Sequence, residues 1–106
     1  MRRGDLIALT ALGDAKPRLA LVIQSDLFSE HPSVTILPVT SELRDTPLFR
    51  IRLHPNEVNR LENVCDVMAD KVQTIARQKV GDVCGHVQEE DLIAISRALA
   101  VFLGVV

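Results

Sequence analysis

An arginine and a hydroxyl pair stand at the ends of two apolar runs in this 106-residue chain. Arg18 opens the run 18–24, and Thr40 and Ser41 close the run 34–41. If both runs are buried strands of one sheet, the guanidinium and the hydroxyls can meet at one edge. Guanidinium and hydroxyl groups both hold phosphate oxygens well. The two runs therefore indicate phosphodiester chemistry that needs no metal ion.

The composition restricts the classes of function. Residues 1–106 are enough for a single core and are predicted to form one domain. Apolar residues make up 47%, but the aromatic ones are only three Phe, so the core must be aliphatic. This disfavours an RNA-binding platform that stacks bases on aromatic faces. The formal net charge of −2 disfavours a protein that is basic overall, although a local basic face is possible.

The cysteines and the N-terminus predict a cytoplasmic protein without a disulfide, metal or cofactor. Cys65 and Cys84 lack the spacing of zinc ligands, so two buried or half-buried thiols are expected. The start, Met1-Arg2-Arg3-Gly4-Asp5, leads into no apolar segment typical of a signal peptide. No apolar run approaches the roughly 20 residues of a membrane span.

Short apolar runs predict a mainly β fold that ends in one helix. Strands are expected over 6–12, 18–24, 33–39, 48–53, 65–70, 72–75 and 80–87, and Ser25 is expected to cap a short turn. The 48–53 segment alternates apolar residues with Arg50 and Arg52, which is typical of a strand with one solvated face. Acids at 89–91 suit a helix N-terminus. The apolar stripe of this helix consists of Leu92, Ile95, Leu99, Phe102 and Leu103, and Gly104 ends it.

These segments, in their order and spacing, resemble the MazF/PemK family of toxin endoribonucleases from bacterial toxin–antitoxin pairs. The matching strings cover nearly the whole chain. They are Arg3-Gly4-Asp5-Leu6, Arg18-Leu19-Ala20-Leu21-Val22-Ile23, Pro38-Val39-Thr40-Ser41, Ala69-Asp70-Lys71-Val72-Gln73-Thr74-Ile75 and the segment 98–104. The resemblance implies an SH3-like antiparallel barrel with a C-terminal helix, working as a homodimer. It also implies sequence-specific, metal-independent cleavage of single-stranded RNA, silenced by a cognate antitoxin.

The resemblance implies catalytic roles for Arg18, Thr40 and Asp70. Metal-free cleavage uses the 2′-hydroxyl of the RNA as nucleophile, and it needs a base, an acid and stabilisation of the phosphorane. Arg18 would stabilise the phosphorane, Thr40 would donate to a non-bridging oxygen, and Asp70 would act as base or orient a nucleobase. The alternatives are a surface cation, a turn-forming hydroxyl and a turn aspartate.

Further RNA contacts are expected from Lys16, Ser41, Lys71 and Arg50. The loop 11–17 is shorter than in many members of the family, and Leu19 stands where proline is common. An arginine that some members carry is replaced by Met68, and Lys71 is a candidate to replace its charge. For Arg50 and Arg52, a solvated strand face is favoured over an RNA groove. No histidine is expected to be the acid, and His86 is expected to be structural or exposed.

Two other functions are compatible with the same fold. One is a gyrase-poisoning toxin, which binds a protein target and needs neither Arg18 nor Thr40 in this arrangement. The other is a non-catalytic member of the family that acts by binding protein, which the short first loop and Met68 leave open.

Overall fold

The computed structural model of the chain describes residues 1–10 and 18–105. Lys16 and the rest of the predicted first loop therefore lie outside the described residues. The strands in the described part are β1 Asp5–Leu9, β2 Arg18–Val22, β3 Ser33–Thr40, β4 Arg50–Leu53, β5 Cys65–Met68, β6 Gln73–Ala76 and β7 Val80–His86, and the α-helix is α1 Glu89–Leu103. Short 3₁₀ turns cover Asp26–Phe28, Ala69–Lys71 and Arg77–Lys79.

Strand β3 is the centre of the sheet, because it pairs with three other strands. The order of the antiparallel sheet is β4-β5-β3-β2-β1-β7, and β6 pairs with β3 outside this order. The first half of β3, Ser33 to Ile36, pairs with β6, and its end, Val39 to Thr40, pairs with β5. Strands β5 and β6 therefore share one edge of β3, while β2 pairs with the other edge. This arrangement bends the sheet around its core. The predicted α+β, mainly β fold, an SH3-like antiparallel barrel with a C-terminal helix, is confirmed.

Both faces of the central strands are buried, which explains why their sequences are continuously apolar. One face carries Leu21, Leu37 and Val67 and packs against α1 through Ile95 and Ala98. The other face carries a second cluster, formed by Ile7, Ala20, Val22, Val34 and Ile36. Because side chains alternate along a strand, Arg18 and Thr40 lie on this second face, beyond the end of its apolar cluster.

The helix begins and ends as predicted, but its apolar stripe is buried only in part. Glu89, Glu90 and Asp91 occupy its first turn, and Gly104 ends it with a φ of 72°. Ile95 and Ala98 are buried, whereas Phe102 and Leu103, expected to pack, are about half exposed. The last turn of the helix is therefore only partly covered by the rest of the described chain. The guanidinium of Arg3 holds the middle of the helix by donating to Ser96 Oγ at 2.7 Å.

Other expectations are confirmed or corrected in detail. Ser25 caps the turn Asp26–Phe28, as predicted, by accepting from the Leu27 amide. The strand expected over 48–53 begins only at Arg50, because Phe49 and Arg50 bond back to the Thr46 carbonyl in a turn. Both cysteines are free, and Cys84 is exposed rather than buried or half-buried. Within the described ranges, no helix is long and apolar enough to cross a membrane.

Candidate functional site

Arg18 and Thr40 come together at one end of the β2–β3 pair. Leu19 of β2 lies opposite Val39 of β3. One more step in this antiparallel register brings Arg18 beside Thr40, and directly opposed residues project from the same face with Cβ atoms about 5 Å apart. Arg18 is exposed and Thr40 is half-buried. The guanidinium and hydroxyl are therefore neighbours at an accessible end of the sheet, as the two runs predicted.

The same row of the sheet continues through two more strands and becomes strongly charged. Thr40 of β3 lies opposite Asp66 of β5, and Asp66 lies opposite Arg52 of β4. The row Arg18, Thr40, Asp66, Arg52 thus crosses four adjacent strands on one face. Neighbouring strands are about 4.8 Å apart, so Arg52 is roughly 14 Å from Arg18 across the sheet. We call these four residues the charged row.

Asp66 is the most heavily bonded member of the charged row. Its carboxylate is 1% exposed. Oδ1 accepts from Arg52 Nε at 3.0 Å, and Oδ2 accepts from Arg52 Nη2 at 3.3 Å and from the Arg44 amide at 3.0 Å. Arg50 Nη1 lies 3.6 Å from Oδ2. A buried carboxylate thus joins two cations of β4 to the connection that follows β3.

These contacts keep the carboxylate of Asp66 ionised. The hydrogen bonds from Arg52 lower its pKa below the ordinary value; burial opposes this, but the Arg44 amide and the charges of Arg52 and Arg50 reinforce it. The same bond raises the pKa of Arg52. The neighbouring Cys65 responds in the opposite direction, because burial and the charge of Asp66 raise the pKa of its thiol. Both effects favour the neutral thiol of Cys65 over the reactive thiolate.

The interpretation of Arg50 and Arg52 as a solvated strand face is wrong for Arg50 and incomplete for Arg52, which is exposed but ion-paired. The side chain of Arg50 is only 10% exposed, and that of Arg52 is 41% exposed and paired with Asp66. The sequence does contain the signal: an aspartate stands inside the apolar run 64–69, opposite a strand with two alternating arginines. A buried carboxylate requires a partner. Asp66 and Arg52 were nevertheless not among the predicted site residues.

The hydroxyl of Thr40 is oriented by its own turn. Thr40 Oγ1 accepts from the Glu42 amide at 3.1 Å, which is the contact expected of a turn-forming hydroxyl. A hydroxyl has one proton and two lone pairs, so this bond uses a lone pair and leaves the proton free to be donated. The two roles are therefore compatible. Ser41 follows directly and is exposed.

Asp70 and Lys71 lie apart from the charged row. Both belong to the 3₁₀ turn Ala69–Lys71, which packs against β3. Asp70 Oδ2 is 3.7 Å from Lys71 Nζ, and Asp70 Oδ1 is buried without a hydrogen-bond partner among the described residues. The turn joins β5 to β6, so it flanks β3 between Ile36 and Val39 rather than at Thr40. No described bond joins Asp70 to Arg18 or Thr40, so the structure does not bring the three predicted catalytic residues together.

A second carboxylate system is far from this end of the sheet. His86 Nδ1 lies 2.8 Å from Asp5 Oδ1, and the Arg2 amide donates to Asp5 Oδ2 at 2.7 Å. Burial raises the pKa of Asp5, but these hydrogen bonds outweigh it and lower the pKa overall. Asp5 begins β1, whereas Leu9 at the other end of β1 pairs with Arg18. His86 therefore has a structural bond and is too distant to serve the Arg18–Thr40 pair.

Comparison with known proteins identifies the family. The profile of the PemK-like, MazF-like toxins of type II toxin–antitoxin systems matches residues 2–103. The chain belongs to this family, as its motifs predicted. A protein of Mycolicibacterium smegmatis named probable endoribonuclease MazF is 42% identical over 107 residues, which cover 99% of this chain and 98% of that protein.

Solved structures agree on the fold. An endoribonuclease in complex with its cognate antitoxin, from a mycobacterial species, superposes with a TM-score of 0.83 and 24% identity, covering 100% of this chain and 97% of that one. MazF in a MazE–MazF crystal structure from Deinococcus radiodurans gives a TM-score of 0.80 with 22% identity, covering 98% of this chain and 96% of that one.

The bonds of Asp66 predict how stability depends on pH. Asp66→Asn leaves buried arginine donors without a carboxylate, so it should lower the free energy of unfolding by about 2 kcal/mol at pH 7. An unfolded aspartate ionises near pH 4. Because the folded pKa is lower, this contribution is complete above about pH 4 and is lost as the pH falls through the folded pKa.

Urea unfolding from about pH 7 down to about pH 2.5 measures the difference in free energy of unfolding between wild type and Asp66→Asn. The difference should shrink below about pH 4. Asp45→Asn, a matched change of an exposed carboxylate in the same connection, should have little effect at any of these values. A difference between wild type and Asp66→Asn that stays constant down to the lowest pH would contradict the ion pairing.

Proposed function

We propose that this chain is a MazF-like endoribonuclease toxin that cuts single-stranded RNA, including mRNA, at specific short sequences without a metal ion. Family membership and the name of the 42% identical relative support ribonuclease activity and favour it over gyrase poisoning. The observation that carries the site is the register that makes Arg18 and Thr40 neighbours at an accessible end of the sheet. The proposed unit is the single toxin domain 1–106.

In the proposed reaction, the 2′-hydroxyl of the RNA attacks the adjacent phosphorus and expels the 5′-oxygen of the next nucleotide. The products are a 2′,3′-cyclic phosphate and a 5′-hydroxyl. The planar guanidinium of Arg18 binds the non-bridging oxygens as negative charge grows on the phosphorane. Thr40 donates its free hydroxyl proton to one of these oxygens. Two fixed donors of this kind supply the stabilisation that a bound metal ion provides elsewhere.

Asp70 is proposed as the base or as a residue that orients a nucleobase. Because Oδ1 is buried, the oxygen that would meet RNA is Oδ2, which lies 3.7 Å from Lys71 Nζ. Lys16, Ser41 and Lys71 are proposed to contact RNA around the cleaved bond. Arg50 was also expected to contact RNA, but its side chain is only 10% exposed and is held by Asp66 and the Glu42 carbonyl. We therefore propose that it acts through its charge: its Nη2 lies 3.3 Å from Met68 Sδ, beside the position that lacks an arginine.

The proposed partners follow from the same family. Its members belong to toxin–antitoxin systems, and the similar structures include complexes with an antitoxin. We propose that a cognate antitoxin neutralises this chain, and that the chain acts in the cytoplasm, where mRNA is found. The gyrase-poisoning and non-catalytic alternatives have no specific observation in their favour.

Cleavage assays on the Arg18–Thr40 pair test the function. The wild type should cut a pool of RNA in the presence of EDTA and leave cyclic phosphate ends. Arg18→Ala should lose about 3 kcal/mol of transition-state stabilisation, which is roughly a hundredfold or more in rate. Thr40→Val keeps the shape and removes the hydroxyl, so it should also slow cleavage. Asp70→Asn should slow cleavage if the carboxylate is the base, and should leave the cleavage rate nearly unchanged if the carboxylate only forms the turn.

Melting temperatures provide the control, because exposed Arg18 and half-buried Thr40 carry little packing and both variants should remain folded. If folded Arg18→Ala cleaves at the wild-type rate, the site is elsewhere although the enzyme class stands. If wild type leaves RNA intact with and without metal, the nuclease function is wrong. Gyrase-linked DNA breaks in expressing cells would then support the rival toxin.

We also propose a homodimer. The described surface of α1 retains exposed apolar side chains at Ile93, Val101, Phe102 and Leu103, each 46% to 57% exposed. Closed two-fold dimers are the commonest oligomers, and burial of these apolar side chains, three of which lie in the last turn, favours one. Light scattering at micromolar concentration should give twice the 11.7 kDa of one chain. Val101→Lys should shift this mass toward the monomer, whereas a wild type that is already monomeric would count against the dimer.

A further inference from the structure

A groove lies next to Thr40 on the side away from Arg18. Its volume is about 260 Å³. One wall belongs to the connection between β3 and β4, and the other to the strands β4 and β5. The lining residues are Arg44, Asp45, Thr46 and Pro47 from the connection, and Arg50, Ile51, Arg52 and Asp66 from the strands. Asp66 and Arg52, the two members of the charged row beyond Thr40, thus line this groove.

The connection is held over the strands by the arginines of β4. Arg50 Nη1 donates to the Glu42 carbonyl at 3.1 Å, and Arg52 Nη2 donates to the Arg44 carbonyl at 3.1 Å. The Arg44 amide completes the arrangement by donating to Asp66. Both walls of the groove are thus fixed through one buried carboxylate, and the groove is formed before any ligand arrives.

Two guanidinium groups of the groove are available to a ligand. The side chains of Arg44 and Arg52 are 64% and 41% exposed, whereas Arg50 is largely covered. The present partner of Arg44 is the exposed carboxylate of Glu42, at 3.3 Å. Exposed ion pairs of this kind contribute little, so a phosphate can displace Glu42. Asp45 is the other acid of the rim; it too is exposed and screened by salt.

The groove lies on the path that an RNA strand would take from the Arg18–Thr40 pair. Thr46 lines the groove, but its Oγ1 is buried and has no hydrogen-bond partner among the residues that the structure describes, so this atom is out of a ligand's reach. An RNA whose reacting phosphate lies at Arg18 and Thr40 would cross this groove along the charged row, with Arg52 roughly 14 Å from Arg18.

We propose that this groove is a second phosphate-binding subsite for the RNA backbone, with Arg44 and Arg52 as the contacts and Asp66 as the residue that positions them. This inference rests on the proposed ribonuclease function and extends it to the nucleotides that flank the cleaved bond. The proposed ligand of the groove is therefore a polyanion. Asp66 is itself an anion, yet under this proposal RNA binding requires it, because it positions the arginines.

The test measures binding to a 2′-O-methyl oligonucleotide that contains the cleaved sequence. This oligonucleotide lacks the 2′-hydroxyl nucleophile, so it stays intact during the measurement. Arg44→Gln removes an exposed guanidinium and keeps the backbone bond to Asp66. It should weaken binding about fivefold at low salt and reduce the slope of log K against log[salt] by about 0.7, the value for one phosphate contact on a single strand. Arg60→Gln, an exposed arginine outside the groove, is the matched control and should change neither quantity.

Asp66→Asn gives a test of opposite sign. If Asp66 only added negative charge to the groove, its removal would strengthen RNA binding. If it positions Arg52 and the connection, binding should weaken although the groove has become more positive. The measurement is made at a temperature where circular dichroism shows the variant folded. If the variant does not fold at any temperature, Arg52→Gln replaces it, and it too should weaken binding and reduce the salt slope.

The outcomes separate this inference from the function on which it rests. Wild-type cleavage with unchanged affinity and salt slope for Arg44→Gln would overturn the subsite and leave the ribonuclease standing. The same holds if Asp66→Asn binds more tightly than wild type. Failure of the wild type to cut unmodified RNA of the same sequence would instead remove the function itself.

Discussion

The site depends on one buried carboxylate and its arginine partners. Ionised Asp66 is 1% exposed, and an unpaired charge in that position would be strongly destabilising. The chain meets this requirement with Arg52, Arg50 and the Arg44 amide, which belong to one strand and one connection. Because each arginine also donates to a carbonyl of the connection, pairing the charge fixes the path of the chain after Thr40.

This constraint links packing to the proposed chemistry. Thr40 is the last residue of β3, and it is opposed by Asp66. The turn that orients the Thr40 hydroxyl is the start of the connection that Asp66 holds in place. Residues on the apolar face of the same strands, such as Leu37 and Val67, set the strand register that brings Arg18 alongside. A change that loosens the ion pair would therefore disturb the hydroxyl without touching it.

Much of the fold could be predicted from the sequence, because its signals are local. The β-branched runs around Val22 and Val34, the capping Ser25 and the helix ended by Gly104 all appear in the structure close to their predicted bounds. What failed depends on contacts between distant segments. Phe102 and Leu103 continue an apolar stripe, but the periodicity of a helix does not reveal which of its turns the rest of the chain covers.

The candidate site, too, could be predicted where its signals are local and not where it depends on contacts between distant segments. Two runs, one opened by Arg18 and one closed by Thr40, suggested that these residues meet, and the motif order identified the family. The partner of Arg50 and Arg52 was missed because it depends on which strands are neighbours and in which register. From sequence alone, two alternating arginines look like a solvated face; only the pairing of β4 with β5 makes Asp66 their common partner.

A double-mutant cycle tests the central interaction most directly. Free energies of unfolding at pH 7 are measured for wild type, Asp66→Asn, Arg52→Gln and the double variant. If Arg52 acts through Asp66, removing it from Asp66→Asn should cost far less than removing it from wild type, because its carboxylate partner is already absent. Equal losses in the two backgrounds would mean that the two side chains act independently, and would contradict the account.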